Sequence, residues 1–380
     1  MTSALRVHAD DPSLSARLRA LIAKDGPLTV EEFMQACQSD AASGAYASRQ
    51  PIGATGDFIT APEISQIFGE LIGLWAVAVW QSVGEPREVI IAELGPGRGI
   101  LMTDALRAWR GIPKFLDRVS VAPVETSPVM TETQRKALKD AGVPLRWFAT
   151  LDAVPESPLI VLANEFVDAL PIRQFVRRGE DWHERLVTSD GRGGFAFVDG
   201  DAENLASELP HAAPDGTIFE TRPAVRVLLR ELGRRASRAP LAALIIDYGH
   251  EETGFGDTLQ AVRCHRFADV LSDPGSADLS AHVDFADLKR ESSAAGLNAY
   301  GPMPQGEFLL RLGLSERRER LLQHATPTQA EAIASGAARL VDPRQMGILF
   351  KALALTSTNL PPPPPFDPEH LTYLEFDRPW

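Results

Sequence analysis

The sequence predicts an α/β fold: a parallel sheet with helices on both faces, joined to a helical N-terminal region and a small antiparallel β insertion. Three observations predict it. Short apolar runs such as Val89-Ile90-Ile91-Ala92 and Leu241 to Ile246 have the character of strands buried on both faces. Helical patterns separate them, as right-handed βαβ units require. Between 171 and 200 this rhythm gives way to shorter alternating runs with Gly-rich turns, which read as antiparallel strands.

The elements follow in order. Residues 13–50 carry Leu14, Leu18, Leu21 and Ile22, then Phe33, Met34 and Cys37, at helical spacing. Thr60-Ala61-Pro62-Glu63 has the form of a capping box, and Ile64, Ile67, Phe68, Leu71, Trp75 and Val79 behind it trace one apolar helical face. The first strand, from Val89, ends in Glu93-Leu94-Gly95-Pro96-Gly97-Arg98-Gly99, and a helix is expected over Ile100 to Trp109. A second strand, Val119 to Val124, ends at Glu125. Ser127-Pro128 should start a helix that Gly142 terminates. Further strands are expected at Leu145 to Phe148 and Leu159 to Ala163, the latter ending at Asn164-Glu165. The insertion holds Gln174 to Arg178, His183 to Val187 and Gly194 to Val198. Ile218 to Ser237 reads as an Arg-rich helix with a solvated charged face, and 250–283 as irregular and polar. A helix (Phe285 to Ala295), a strand (Leu297 to Tyr300), a late strand (Gly347 to Thr356) and a stiff polyproline run (Pro361 to Pro365) close the chain. The expected division is 1–86 helical, 87–170 with 238–358 as the core, 171–237 inserted, and 359–380 a Pro-rich tail.

Composition narrows the class. Of 380 residues, 44% are hydrophobic and 23% charged, enough to build a sizeable core. Lys plus Arg number 38 against 51 Asp plus Glu, a formal charge of −13, which argues against coating nucleic acid and would suit a basic partner. The apolar stretch Leu71 to Trp80 falls short of the ~20 residues a bilayer crossing needs. Cys37 and Cys264, the two cysteines, are far apart and outside any metal-type cluster, which points to a reducing compartment and no metal centre. Asp10 and Asp11 speak against a signal peptide and a presequence.

The chemistry concentrates at strand ends. Glycines directly after the first strand let the main chain approach a ligand and expose its N–H groups. Here they fall as Gly95-x-Gly97-x-Gly99, without the sixth-position glycine of the dinucleotide fingerprint G-x-G-x-x-G. Glu93 stands two residues before the first of them. Glu125, closing the second strand, can accept from both hydroxyls of a ribose or sit on a solvated rim. Asn164-Glu165 and Asp247-Tyr248 end two more strands at the same edge. Glu165 can hold a guanidinium by paired hydrogen bonds or form an ion pair with Arg173. No Gly-x-Ser-x-Gly elbow, Walker loop or Cys-x-x-Cys is present, so hydrolase, P-loop and zinc readings have no support.

The run Glu93-x-Gly95-x-Gly97-x-Gly99 resembles motif I of the class I S-adenosylmethionine (SAM) methyltransferases. More specific stretches are Gly56 to Glu70, Asn164-Glu165-Phe166-Val167-Asp168-Ala169-Leu170-Pro171, Asp247-Tyr248-Gly249, Gly256-Asp257-Thr258-Leu259-Gln260 and Ala281-His282-Val283-Asp284-Phe285. Together they resemble the MidA-like family, class I methyltransferases related to the mitochondrial complex I assembly-factor arginine methyltransferase. The resemblance spans roughly 45–355. It implies a Rossmann-like core, SAM as cofactor, and an arginine acceptor in a complex I subunit. Carried onto this sequence, it implies that Glu93, Gly95, Gly97 and Gly99 line SAM, that Glu125 holds its ribose, and that Asp57, Phe58 and Thr60 cover it. Asn164 and Glu165, with Asp247, would form the transfer centre. Such an enzyme would act alone or as a homodimer, in the cytoplasm of a bacterium or the mitochondrial matrix of a eukaryote. A small-molecule methyltransferase, a SAM-binding assembly chaperone without turnover, and an NAD-linked oxidoreductase are the competing readings.

Overall fold

The computed structural model describes residues 13–40, 44, 53, 56–57, 59–201 and 209–367. They fall into two compact units. One comprises the described parts of 1–58, 169–224 and 254–281; the other comprises 59–168, 225–253 and 282 onward. These units cut the chain elsewhere than the division at 86, 170 and 237. The long apolar helix Gln66–Ser82, placed by sequence in a separate N-terminal region, packs closely on helix Ile100–Trp109 and shares the core of the second unit.

That second unit is built on a seven-stranded sheet. Its main path uses β1 (Val89–Leu94), β2 (Val119–Val124), β3 (Leu159–Asn164), β4 (Leu241–His250), β5 (Leu297–Pro304) and β6 (Phe350–Ser357) in the order β5-β6-β4-β3-β1-β2. Strands β2, β1, β3 and β4 run parallel, and β6 is antiparallel to β4 and β5. Val283–Asp284 adds a short parallel pairing to the end of β4. Nearly every residue of β3 and β4 is buried, as expected for strands covered on both faces. Trp75, Trp80, Trp109 and Phe115 fill the core beside β1, with Trp80 and Trp109 both edge-on to Phe115.

Several expectations change here. Thr60 makes no side-chain cap; the helical turn Ala61–Ile64 ends at Ser65, whose hydroxyl caps the long helix by accepting from Ile67 N. Glu63, the other half of the expected box, pairs with Arg98 instead. Leu145 and Phe148 make isolated parallel bridges to Val121 and Val124 rather than a strand. The helix from Pro128 ends at Ala137, before Gly142. Ile218–Thr221 is a strand, and only Pro223–Ala236 is helical. Its charged face is not simply solvated: Arg235 is buried, donating to the carbonyls of Leu151 and Val154 and pairing with Glu231. Helices Gln305–Arg311, Leu314–Leu322 and Pro327–Val341 add to the elements expected from the sequence. The proline run docks, with Trp75 Nε1 donating to Pro364 O at 2.6 Å.

The first unit holds a five-stranded antiparallel sheet of Leu28–Thr29, Asp181–Ser189, Arg173–Arg178, Ile218–Thr221 and Phe195–Asp201. Helices Leu14–Asp25 and Val30–Ser39 bury Leu14, Leu18, Phe33 and Met34 with Val187. The stretch read as irregular contains a three-stranded sheet of Gln260–Arg263, Arg266–Ala268 and Asp278–Ser280. Cys264 and His265, both at positive φ, form the two-residue turn of its hairpin, a geometry that matches strand twist but departs from the usual Asn-Gly signal.

Candidate cofactor and acceptor site

The chain leaves β1 toward β2 on one side and returns to place β3 on the other, so the sheet order reverses between β1 and β3. Loops diverge at such a point, opening a crevice at the carboxyl ends of the strands. Glu93, the glycine loop, Asn164 and Glu165 all stand there.

The loop after β1 is held in a shape that side chains resist. Gly95, Gly97 and Gly99 have φ of 58, 53 and 80°. A Cβ on Gly95 would lie 2.9 Å from Cδ2 of Phe166, so backbone and ring meet without space for a methyl. Gly99 caps the helix Ile100–Trp109. Glu93 is 4% exposed, and its Oε2 has no hydrogen-bond partner. Burial pushes its carboxyl up to about 8.

Glu125 is braced from two directions. Its Oε1 accepts from Ser127 N at 2.8 Å and its Oε2 from Gln134 Nε2 at 3.0 Å. Burial raises its pKa, while these bonds oppose the rise. The same Gln134 amide donates to Gly97 O at 2.8 Å, and its oxygen accepts from Trp147 Nε1 at 2.9 Å. Gln134 thus links the glycine loop to the acid at the end of β2. Sequence reasoning missed it, since a glutamine on an amphipathic helix carries no signal.

Glu165 adopts a left-handed φ of 48°, an uncommon state for a side chain-bearing residue. Its Oε1 accepts from Ala61 N at 2.8 Å and from Asn164 Nδ2 at 3.2 Å. Burial, with a smaller contribution from the Asp168 charge, pushes its carboxyl up to about 8. The alternative ion pair does not form, because Arg173 forks onto Glu184. Asn164 Oδ1 is buried with no partner. Thr60, beside Ala61, is buried. Asp247 is fully buried, with Oδ2 accepting from the amides of Val167 and Asp168 and Oδ1 from Tyr248 N. Its carboxylate anchors main chain.

Asp57 belongs to the first unit, where its Oδ1 accepts from Cys264 N and its carbonyl from His265 N. Phe58 lies outside the described residues. Among the described residues, no group of three or more His, Cys, Asp or Glu is arranged to hold a metal, and no helix is long and apolar enough to cross a membrane.

A glycine cradle, an orphaned buried carboxyl and a braced acid at the next strand end are what a sugar-bearing sulfonium amino acid would need. The model of the S-adenosyl-L-methionine-dependent methyltransferases matches residues 71–303. The chain belongs to the S-adenosyl-L-methionine-dependent methyltransferase family. It is 38% identical over 379 residues to a Drosophila melanogaster protein, covering 90% of this chain and 84% of the relative, which is named protein arginine methyltransferase NDUFAF7 homolog, mitochondrial. The Homo sapiens protein arginine methyltransferase NDUFAF7, mitochondrial, is 34% identical over 375 residues, covering 91% of this chain and 84% of its own. A Burkholderia thailandensis protein crystallised with S-adenosyl-homocysteine superposes with a TM-score of 0.79 at 29% identity, over 90% of this chain and 91% of that one. The cofactor of this methyltransferase is therefore SAM, and its fold is the class I α/β fold expected from the sequence. Glu93 Oε2 and Asn164 Oδ1 are two buried polar atoms without a hydrogen-bond partner at this edge of the sheet.

Proposed function

We propose that this methyltransferase acts on an arginine side chain of a protein, a subunit of respiratory complex I. The observation that carries the reading is Glu165, a carboxyl fixed by Ala61 N and Asn164 at the switch point, one strand away from the glycine loop. The names of the 34–38% identical relatives support it. The sequence resemblance supplies complex I, and the compartment follows from it: bacterial cytoplasm, or mitochondrial matrix in a eukaryote.

SAM supplies an electrophilic methyl group. The work of the chain is positional. Glu93, Gly95, Gly97 and Gly99 hold the cofactor, and Glu125 accepts from its ribose hydroxyls. Thr60, buried beside Ala61, belongs to the same assignment as cover. Guanidinium is protonated at all working pH values, so its nucleophilic lone pair must be localised by an acidic partner. With Glu165 Oε1 held by Ala61 N and Asn164 Nδ2, Glu165 Oε2 is the oxygen that accepts from the guanidinium, and Asn164 Oδ1 accepts a further N–H. Asp247 holds Val167 and Asp168 in place, which fixes the chain just after Glu165.

The test is direct. Purified protein, SAM and a recombinant complex I subunit carrying the acceptor should yield S-adenosyl-homocysteine and, by tandem mass spectrometry, an arginine on which a methyl group has replaced a hydrogen. Turnover on small amines with no protein methylation would replace this reading, and binding of SAM without turnover would reduce the chain to a chaperone.

A further inference from the structure

We propose that the ring of Tyr248 is the surface on which the acceptor guanidinium stacks, an inference that rests on the arginine reading of the acceptor site. The residues assigned to SAM end β1 and β2, which leaves the ends of β3 and β4 for the acceptor. There Asn164 lies beside Ile246, and Glu165 N donates to Ile246 O at 2.8 Å. Side chains alternate along a strand, so Asn164, Ile246 and Tyr248 share one face of the sheet while Asp247 takes the other. Tyr248 is thus the diagonal neighbour of Asn164, a separation that an aromatic side chain can span. It is half-buried, whereas every other residue from Leu241 to Gly249 is buried.

Two further rings fix how Tyr248 stands. Phe350 pairs with it across β4 and β6, the ring centroids 5.4 Å apart. His282 meets it at 5.4 Å with the ring planes at 88°. Main chain holds His282 there: Val283 pairs with Gly249, and a Cβ on Gly249 would lie 1.9 Å from Val283 O, which bars a side chain at that position. Asp247-Tyr248-Gly249 and His282-Val283-Asp284, stretches that the cofactor assignment leaves unused, therefore meet around one ring. A guanidinium carries all its donors in its plane, so hydrogen bonds to Glu165 Oε2 and Asn164 Oδ1 leave its flat faces without partners. An aromatic face is their complement, attracting the cation through its quadrupole and stacking on the plane. The ammonium of lysine has no such plane and is more strongly hydrated, so the same ring selects arginine.

Calorimetry on the full chain tests this with S-adenosyl-homocysteine and two adenosine-based bisubstrate probes, alike except that one ends in a guanidinium and the other in a primary ammonium. Wild type should prefer the guanidinium probe by about tenfold or more. Tyr248→Leu should weaken that probe about 3- to 30-fold, the range of a cation–π contact, and leave S-adenosyl-homocysteine within about twofold. Tyr248→Phe keeps the face without the hydroxyl and should stay within about twofold of wild type for every ligand. Phenylalanines with one, two and three ring fluorines at position 248 keep the shape and withdraw charge from the face, so guanidinium affinity should fall stepwise. This series also serves where Tyr248→Leu fails to fold. A flat series would overturn the proposal, as would an equal loss of S-adenosyl-homocysteine in Tyr248→Leu, the mark of a structural role. Wild type without a preference between the probes would instead sink the arginine reading itself.

Discussion

The side-chain amide of Gln134 donates to Glu125 Oε2 at 3.0 Å and, from the same nitrogen, to Gly97 O at 2.8 Å. One buried group therefore sets the separation between the loop assigned to SAM and the acid assigned to its ribose. Trp147 Nε1 holds the amide's other end, so the amide cannot turn over without losing three bonds. Gln134→Met keeps the volume and removes all three. It should weaken SAM binding about 5- to 30-fold, and combining it with Glu125→Gln should cost less than the sum, because the residues act as a unit. Fully additive effects in the calorimetric cycle would separate them.

On the proposed assignment, Glu93 should make cofactor binding depend on pH. Its carboxyl titrates at about 8 in the free protein, so it is protonated at neutral pH. Contact with the positively charged cofactor would favour the ionised form, and binding must then release a proton below that pH. SAM affinity should rise as pH goes from 6 to 8 and flatten above, by up to about tenfold per unit. Glu93→Gln should remove this slope. A proton release identical in wild type and variant, measured in buffers of different ionisation enthalpy, would exclude Glu93 as the source.

Glu165 sets a second pH dependence on a different constant. With SAM saturating, kcat/KM for the protein acceptor reports the ionisation of the SAM-loaded enzyme before the acceptor binds. Burial pushes the Glu165 carboxyl up to about 8, so in the proposed role, where the ionised form holds the guanidinium, kcat/KM should climb with pH toward that value. Glu165→Gln should lose transfer by about a hundredfold or more while binding SAM normally. Undiminished transfer would take the residue out of the mechanism.

Asp247 should respond in the opposite way. Its oxygens accept from three main-chain amides, so Asp247→Asn turns one acceptor into a donor facing an N–H. The expected loss is about 1–3 kcal/mol of folding stability, read as a lower urea midpoint, with any loss of activity tracking the folded fraction. Full stability with abolished kcat would return Asp247 to the transfer centre.

Much of this was legible from residues alone. The strands Val89–Leu94, Val119–Val124 and Leu159–Asn164 announce themselves as apolar runs ending in polar residues, because a strand covered on both faces tolerates polar groups only at its ends. The glycine spacing and its preceding acid are equally local signals. Where the reading failed, the winning interaction was distant in sequence. Thr60 has the capping pattern, yet Ala61 N is satisfied by Glu165, over a hundred positions away. Arg235 looks like a solvated charge and is buried on carbonyls of the loop before β3.

By itself, then, the sequence determined the alternation of strands and helices, the bare loop after the first strand, and the acids that close its neighbours, since each depends on periodicity or backbone freedom within a few residues. Only the tertiary structure decided what those acids do. Three carboxylates of similar appearance in the sequence part company: Glu93 keeps a buried oxygen without a partner, Glu125 is braced by Gln134 and Ser127, and Asp247, inside β4, accepts from main-chain amides. The reason is physical. A carboxyl's charge state and availability are set by desolvation and by the donors that surround it, and those donors arrive from elements the local sequence does not contain.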